Sequence, residues 1–403
     1  MGQNAKVNDD RILVLNAGSS SLKFAVFDTD AGILRRGLHG QVDGIGSTPR
    51  LTIEDDAATG SARAPDSKAH APPCKDHRDA LALIEAALAG RGVRLDRLRG
   101  VGHRVVHGGT HFIKPLRVGP ANLVALDTLQ ALAPLHNVFC LDGIRAVHAV
   151  ASLVPQIACF DTAFHATQPD VAARLALPQS FHDEGYRRYG FHGLNYEYIV
   201  AELPRLSRQP LPARLLVLHL GNGASICAIK DGASVATTMG YSTLDGLVMG
   251  TRSGSIDPGV LIALLRDKAM TADDLENLLY RQSGLLGLSG ATGDMRALLV
   301  SKDPASAEAV GHFCYWAARH AASLVTALGG LDALVFTGGI GAHAPAVRAA
   351  IVAHLSWLGV SLSDALNSRS ASQISPAGTA ISVWTIAASE ERVIAQHVAE
   401  VLQ

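Results

Sequence analysis

The pattern of apolar and polar positions divides the chain into strand-and-turn units that recur. Residues 12–15 form an apolar run, a Gly/Ser turn follows, and a second apolar stretch spans residues 22–27 before Asp28. This predicts a β-hairpin with a small-residue tip. The outline returns further on, where the run LLVLHL, the tip GNGAS and the stretch ICAIKDG succeed one another and Asp231-Gly232 adds a turn signal. Two such hairpins, about 200 residues apart, predict a duplicated domain. Between them, residues 60–77 are polar and Pro-rich and read as a surface loop. Leu81, Ile84 and Leu88 share one stripe ahead of Gly90, which predicts an amphipathic helix over 79–88 with a glycine C-cap. A third unit, LDALVFTGGIGAHAPAVRAAI, joins a strand to a glycine turn and enters a helical pattern beyond Pro345, and residues 390–402 read as a closing helix. Strands and helices mix throughout, so the predicted class is α/β.

Composition narrows the range of partners. A chain of 403 residues, 48% of them hydrophobic, can build two or three domains with separate cores. Lys plus Arg number 35 against 36 Asp plus Glu, which leaves no electrostatic footprint for nucleic acid and points to a small molecule. The five cysteines are dispersed without a C-x-x-C pair, as expected in a reducing cytoplasm. The opening stretch MGQNAKVNDD has no apolar core of a signal peptide, and Lys6 stands where a myristoylation signal needs Ser or Thr. No apolar run is long enough to span a bilayer, so a soluble cytoplasmic protein is expected.

The hairpin tips carry candidate chemistry. In LNAGSSSLKF, the groups of Asn16, Gly18, Ser19, Ser20, Ser21 and Lys23 crowd donors around a tight turn. Backbone N–H groups on small residues, hydroxyls and a Lys charge together suit phosphate, although an ordinary Ser-rich turn has the same composition. HLGNGAS follows the same logic, with Gly221 and Gly223 flanking Asn222. Neither tip has P-loop spacing, and neither leads at once into a helix as a dinucleotide fingerprint does. In FTGGIGAH, Gly338, Gly339 and Gly341 offer bare backbone at a strand end for an adenine or ribose; a purely structural strand-to-helix turn is the alternative. Two phosphate-type hairpins in separate halves, followed by such a turn, favour nucleotide binding as a set.

The ordered stretches LNAGSSSLKF, GHRVVHGG, FDTAFH, YRRYGFHG, HLGNGAS, MGTRSG and FTGGIG resemble the successive signatures of the acetokinase family, from Arg11 to about residue 400. The resemblance implies the fold of the acetate and sugar kinase, actin and heat-shock ATPase superfamily: duplicated actin-like (ribonuclease H-like) α/β domains, each on a five-stranded sheet, with a nucleotide cleft between them. The expected boundaries are 11–160, completed by the helix 390–403, and 161–389. The implied reaction is reversible transfer from ATP to acetate, giving acetyl phosphate and ADP by direct in-line attack, with Mg²⁺ and a homodimeric assembly.

Site roles follow from the same resemblance. Arg104 corresponds to the carboxylate-holding arginine, a role suited to its guanidinium fork. Arg252 and His192 resemble the transition-state stabilisers, and Asp161 the catalytic aspartate, whose plausible task is to orient Arg104. Asn16 and Glu390 match the positions tied to the metal. His136 matches a further active-site histidine, though a buried structural histidine fits the residues equally. Val106, Leu135, Phe191 and Thr243 match the wall around the methyl group of acetate; without the resemblance the first three read as core. For the nucleotide, the matching positions are Lys23, His219, Leu220, Gly221, Asn222, Gly223, Asp294, Met295, Arg296, Gly338, Gly339, Ile340, Gly341 and Ala342.

Several positions depart from the family pattern. Ala342 and His343 replace Glu-Asn after GGIG, Leu194, Asn195 and Tyr196 replace Thr-Ser-His after FHG, and Thr243 replaces a pocket proline. Val138, Ser255 and Ser389 are further exchanges. A propionate or other short-chain acyl kinase would share every charged residue and differ in the apolar pocket. An inactive nucleotide-binding regulator would have no reason to keep Arg104, Asp161, His192 and Arg252 together.

Overall fold

The computed structural model describes residues 9–30, 32–56, 66–68, 72–134 and 136–403. They divide into two compact units: one runs to Ala163 and regains the chain at Ser389–Gln403, the other is Phe164–Ala388. Asp161 therefore falls in the first unit.

The first unit holds β1 (Asp9–Ala17), β2 (Ser21–Asp30), β3 (Ile33–Asp43), β4 (Arg50–Asp55), β5 (Asp66–Lys68), β6 (Leu98–Val105), β7 (Leu116–Arg117) and β8 (Gln156–Phe160). They form one sheet in the order β5-β4-β3-β2-β1-β6-β8-β7. The expected five strands are thus eight. The surplus is peripheral: β4 and β5 extend one edge antiparallel to β3, and β7 closes the other against β8. Of the loop expected over residues 60–77, residues 66–68 pair with β4, and most of the remainder lies outside the described residues.

The second unit holds β9 (Arg214–Leu220), β10 (Ala224–Lys230), β11 (Ala233–Thr237), β12 (Ala333–Thr337) and β13 (Ser382–Thr385), in the order β11-β10-β9-β12-β13. In both units an antiparallel meander of three strands continues into two parallel strands, β3-β2-β1-β6-β8 in one and β11-β10-β9-β12-β13 in the other. The two hairpins read from the sequence, β1–β2 and β9–β10, are the corresponding pairs.

Burial of apolar side chains fixes how helices seat on these sheets. Leu13, Leu15, Phe24 and Val26 pack with Leu81, Ile84 and Leu88 of the helix His77–Ala89 and with Val147 of the helix Asn137–Val150. Each such side chain contributes about 1.5–3 kcal/mol. Asp76 caps the first of these helices, accepting from the backbone N–H of Arg78 and Asp79 at 2.9 and 3.0 Å. On the same sheet, Gly102 admits the helix Glu390–Val401: a Cβ there would stand 2.4 Å from Cγ2 of Ile394. That close seating sets the position of Glu390. In the second unit, Leu215, Val217, Ile229 and Val335 pack with Tyr196, Ile199 and Leu203 of the helix Gly193–Ser207. Among the described residues no helix is long and apolar enough to cross a membrane.

Candidate active site

The parallel strands β1, β6 and β8 end side by side and carry Asn16, Arg104 and Asp161 at those ends. The ladder runs on past β8, since the Asp161 N–H donates to the carbonyl of Val105 at 3.0 Å. Asp161 is fully buried, and Arg104 grips both of its carboxylate oxygens, Nε to Oδ1 at 3.2 Å and Nη2 to Oδ2. A third guanidinium nitrogen, Nη1, donates to Oδ1 of Asn16 at 3.2 Å, and Oε2 of Glu390 lies 3.5 Å from Nε. Burial works against the Arg104 charge, but Asp161 and Glu390 outweigh it and hold its pKa above the ordinary value. For Asp161, burial raises the pKa to about 6, Glu390 pushes the same way, and the Arg104 charge pulls it back. At neutral pH the pair is ionic, and the two-point grip fixes the guanidinium plane.

Neighbouring groups stiffen this cluster. Asn137 brackets the turn after β6, accepting from His107 N–H at 3.0 Å and donating to His107 C=O at 3.1 Å. His77 donates from Nε2 to the Gly18 carbonyl at 2.7 Å and pins the first hairpin tip, whose Ser19 and Ser20 are exposed. Neither pin was readable in the sequence, because the partners are 30 and 59 residues apart. Val106 is buried, His136 is half-buried at the N-cap of the helix Asn137–Val150, and Leu135 lies outside the described residues. Lys23, opposite Asn16 on β2, lines a small cavity with Arg36, His39, Glu54 and Glu391. Burial and the adjacent Glu390 raise the pKa of Glu391.

In the second unit, His192 starts the helix Gly193–Ser207 with a left-handed backbone, φ 59°. Its ring stacks on His219 at 4.1 Å between centroids and 12° between planes. Its Nδ1 lies 2.8 Å from the hydroxyl of Ser225, which also meets the hydroxyl of Tyr196. Asn195 donates from Nδ2 to Nδ1 of His219 at 2.9 Å. Arg252 extends from the MGTRSG turn and donates from Nη1 to the carbonyl of the buried Thr243 at 3.1 Å. Nε2 of His192 and Nη1 of Arg252 flank Gly223, where a Cβ would stand 3.5 and 3.7 Å from them. Phe191 is buried, and its carbonyl accepts from Nε2 of His165 at 2.9 Å. The exchange at Ser255 is absorbed locally: its hydroxyl donates to Asp245 at 2.6 Å.

The same unit encloses a cavity of about 740 Å³, of the size small-molecule sites have. It is lined by Gly221, Asn222, Asp294, Met295, Arg296, Gly339 and Ile340 of the expected nucleotide set, and by Gly293, Leu299, His343 and Ala344, which the resemblance did not supply. The expected glycine turn is itself a helix, Gly338–His343. Gly338 takes φ +76°, and a Cβ there would stand 2.6 Å from the Leu220 carbonyl, so only glycine fits. Ala342 is buried and outside the cavity lining; its carbonyl and that of Gly341 accept from Nη1 of Arg348 at 2.9 Å. Leu220 is a buried strand residue, Gly341 is buried, and His219 and Gly223 lie with His192. Arg348 is fully buried and is otherwise bound by Asn367 Oδ1, Asn367 C=O and Ser370 Oγ at 2.7–3.0 Å. Asp294 caps the helix Met295–Val300, and its carboxylate is engaged by Arg296.

Two sheets with one strand pattern, and a glycine helix beside a cavity in the second unit, define an actin-like α/β architecture. The chain belongs to the acetokinase family, whose profile matches residues 11–396. Acetate kinase of Nitrobacter hamburgensis is 47% identical over 398 residues, 98% of this chain and 96% of the relative; that of Rhodopseudomonas palustris is 45% identical over 96% and 98%. Among solved structures, a propionate kinase from Francisella tularensis matches with TM-score 0.88 and 35% identity over 96% of this chain and 98% of its own. Porphyromonas gingivalis acetate kinase matches with TM-score 0.87 and 29% identity over 98% and 100%. Membership of this family implies ATP or ADP as the nucleotide and a divalent metal.

Proposed function

We propose that the chain is an acetate kinase, transferring the γ-phosphoryl group of ATP reversibly to acetate. The observation that carries the reading is the Arg104–Asp161 fork with Asn16 and Glu390 beside it. Arg104 would hold the acetate carboxylate through its Nη1–Nη2 edge, since Nε and Nη2 already face Asp161, and Val106, Leu135, Phe191 and Thr243 are the residues that the family resemblance assigns to the methyl group. His136 stands as a further contact to the acid. His192 and Arg252 donate to the equatorial oxygens of the transferring group, where charge develops. Lys23, His219, Leu220 and Gly221 to Gly223, Asp294 to Arg296, and Gly338 to Ala342 serve the nucleotide. The carboxylate is already ionised and attacks in line, so catalysis is positioning and charge stabilisation. The segments at Asp161 and before Glu390 are the proposed hinges for closing out water.

Asn16 and Glu390 would hold Mg²⁺. Their donors are hard oxygens, two in number, which suits an ion that keeps water and phosphate in most of its shell. When bound, the ion would neutralise charge on the polyphosphate.

The assembly is proposed to be a homodimer in the cytoplasm. The helix Pro258–Asp267 supports the first part: it carries Val260, Ile262 and Leu265 yet buries none of its residues. All five cysteines are buried free thiols, which supports the second.

Hydroxylamine trapping of acyl phosphate from ATP, Mg²⁺ and a panel of short carboxylates tests the function. Hydroxamate with acetate is the expected result, and none with any acid would refute it. A propionate kinase is the second reading, favoured by the Francisella tularensis structure and by Thr243.

A further inference from the structure

Tyr196 and Asn195 are departures from the family pattern, and both sit against the paired histidines. Tyr196 lies in the first turn of the helix that His192 caps, and its N–H donates to the His192 carbonyl at 3.1 Å. Its hydroxyl and Nδ1 of His192 converge on one atom, Oγ of Ser225 on β10, and both Tyr196 and Ser225 are fully buried. A serine hydroxyl has one proton to give and two lone pairs. In a chain of phenol, alcohol and imidazole, the phenol is the most acidic donor and the imidazole nitrogen the most basic acceptor. Donation therefore runs Tyr196 O–H to Ser225 Oγ, and Ser225 O–H to Nδ1 of His192. With Nδ1 accepting, the neutral ring carries its proton on Nε2, the nitrogen that shares the flank of Gly223 with Nη1 of Arg252.

We propose that Tyr196 and Ser225 are positioning residues that fix His192 as an Nε2–H donor, so that it and Arg252 present N–H groups to the same small volume. No proton leaves the relay; it sets a tautomer and a ring orientation. The consequence for turnover rests on the phosphotransferase reading above, whereas the tautomer itself does not.

Two measurements test this. Nitrogen-15 NMR of histidine-labelled protein reads the tautomer without any turnover. Wild type should show His192 protonated at Nε2, and Tyr196→Phe, which keeps the ring packed edge-on against His165, should show mixed tautomers. Steady-state kinetics should show kcat reduced about tenfold or more in Tyr196→Phe, with KM for ATP and acetate within about twofold. Ser225→Ala should behave alike, and the double variant should be no worse than Ser225→Ala alone, because both act through one path. An Nδ1-protonated His192 in wild type, additive losses in the double variant, or a loss confined to KM would each overturn the proposal. Loss of activity in wild type itself, with the tautomer as expected, would instead strike the phosphotransferase reading.

Discussion

Replacing Asp161 by Asn isolates what the buried carboxylate does for Arg104. The substitution keeps the shape but turns one acceptor oxygen into an NH₂ group facing a guanidinium N–H, and it removes the charge from the remaining contact. One of the two hydrogen bonds from Arg104 to residue 161 is lost and the other is weakened. Hydrogen bonds to charged groups contribute about 1.5–3 kcal/mol each, so Arg104 loses about 2–4 kcal/mol of orientation. Glu390, 3.5 Å away, remains as a counter-charge and should draw the freed fork toward itself. At about 1.4 kcal/mol per decade, kcat/KM for acetate should fall about 30- to 1000-fold, with KM for ATP nearly unchanged. The hydroxamate assay over an acetate titration measures this. An Asp161→Asn enzyme within threefold of wild type would refute the orienting role. The pKa near 6 adds a second arm. Below that value Asp161 takes up a proton and loses its charge, so kcat/KM for acetate should fall as pH drops through about 6. In Asp161→Asn that acid limb should vanish, and its persistence would assign it to another group.

Arg104→Ala should raise KM for acetate strongly, while Arg252→Ala should mainly lower kcat, by about 100-fold or more; small and equal effects would sink both assignments. Acetate should be the best acid, with propionate within about tenfold in kcat/KM and butyrate clearly worse, since a methylene shifts specificity by about 1–3 kcal/mol. Propionate ahead of acetate would favour the second reading, and Thr243→Pro should then move the ratio back. Ile262→Asp should reduce the proposed dimer to monomer in sedimentation, because that helix leaves Val260, Ile262 and Leu265 exposed; an unchanged assembly would place the interface elsewhere.

The strands of the two hairpins and β12 were legible because each is an apolar run that breaks at a Gly, Ser or Asn tip, whereas β6, whose run is broken by Gly100, Gly102 and Arg104, was not. The edge strands were not: β5 and β7 are two or three residues of mixed polarity, held by pairing with a neighbour and marked by no pattern of their own. The same division holds at the site. Arg104, Asp161, His192 and Arg252 stood in recognisable motifs, whereas Asn137, His77 and Arg348 act through partners that only the fold brings near. Asn195 and Tyr196 were visible as exchanges, but their link to His219 and Ser225 depends on a helix turn lying against two strands.

Arg348 bears on how nucleotide preference could change in this scaffold. Its five N–H groups have only neutral acceptors, two of them the terminal carbonyls of the glycine helix. With that end fastened and Gly338 locked by its own backbone geometry, the helix has little room to shift. If the cavity takes the base of the nucleotide, as proposed, discrimination between purines would fall to the other residues that line it, His343 and Leu299 among them. Exchanges at those two positions would then alter base selection while the fastened helix stays in place.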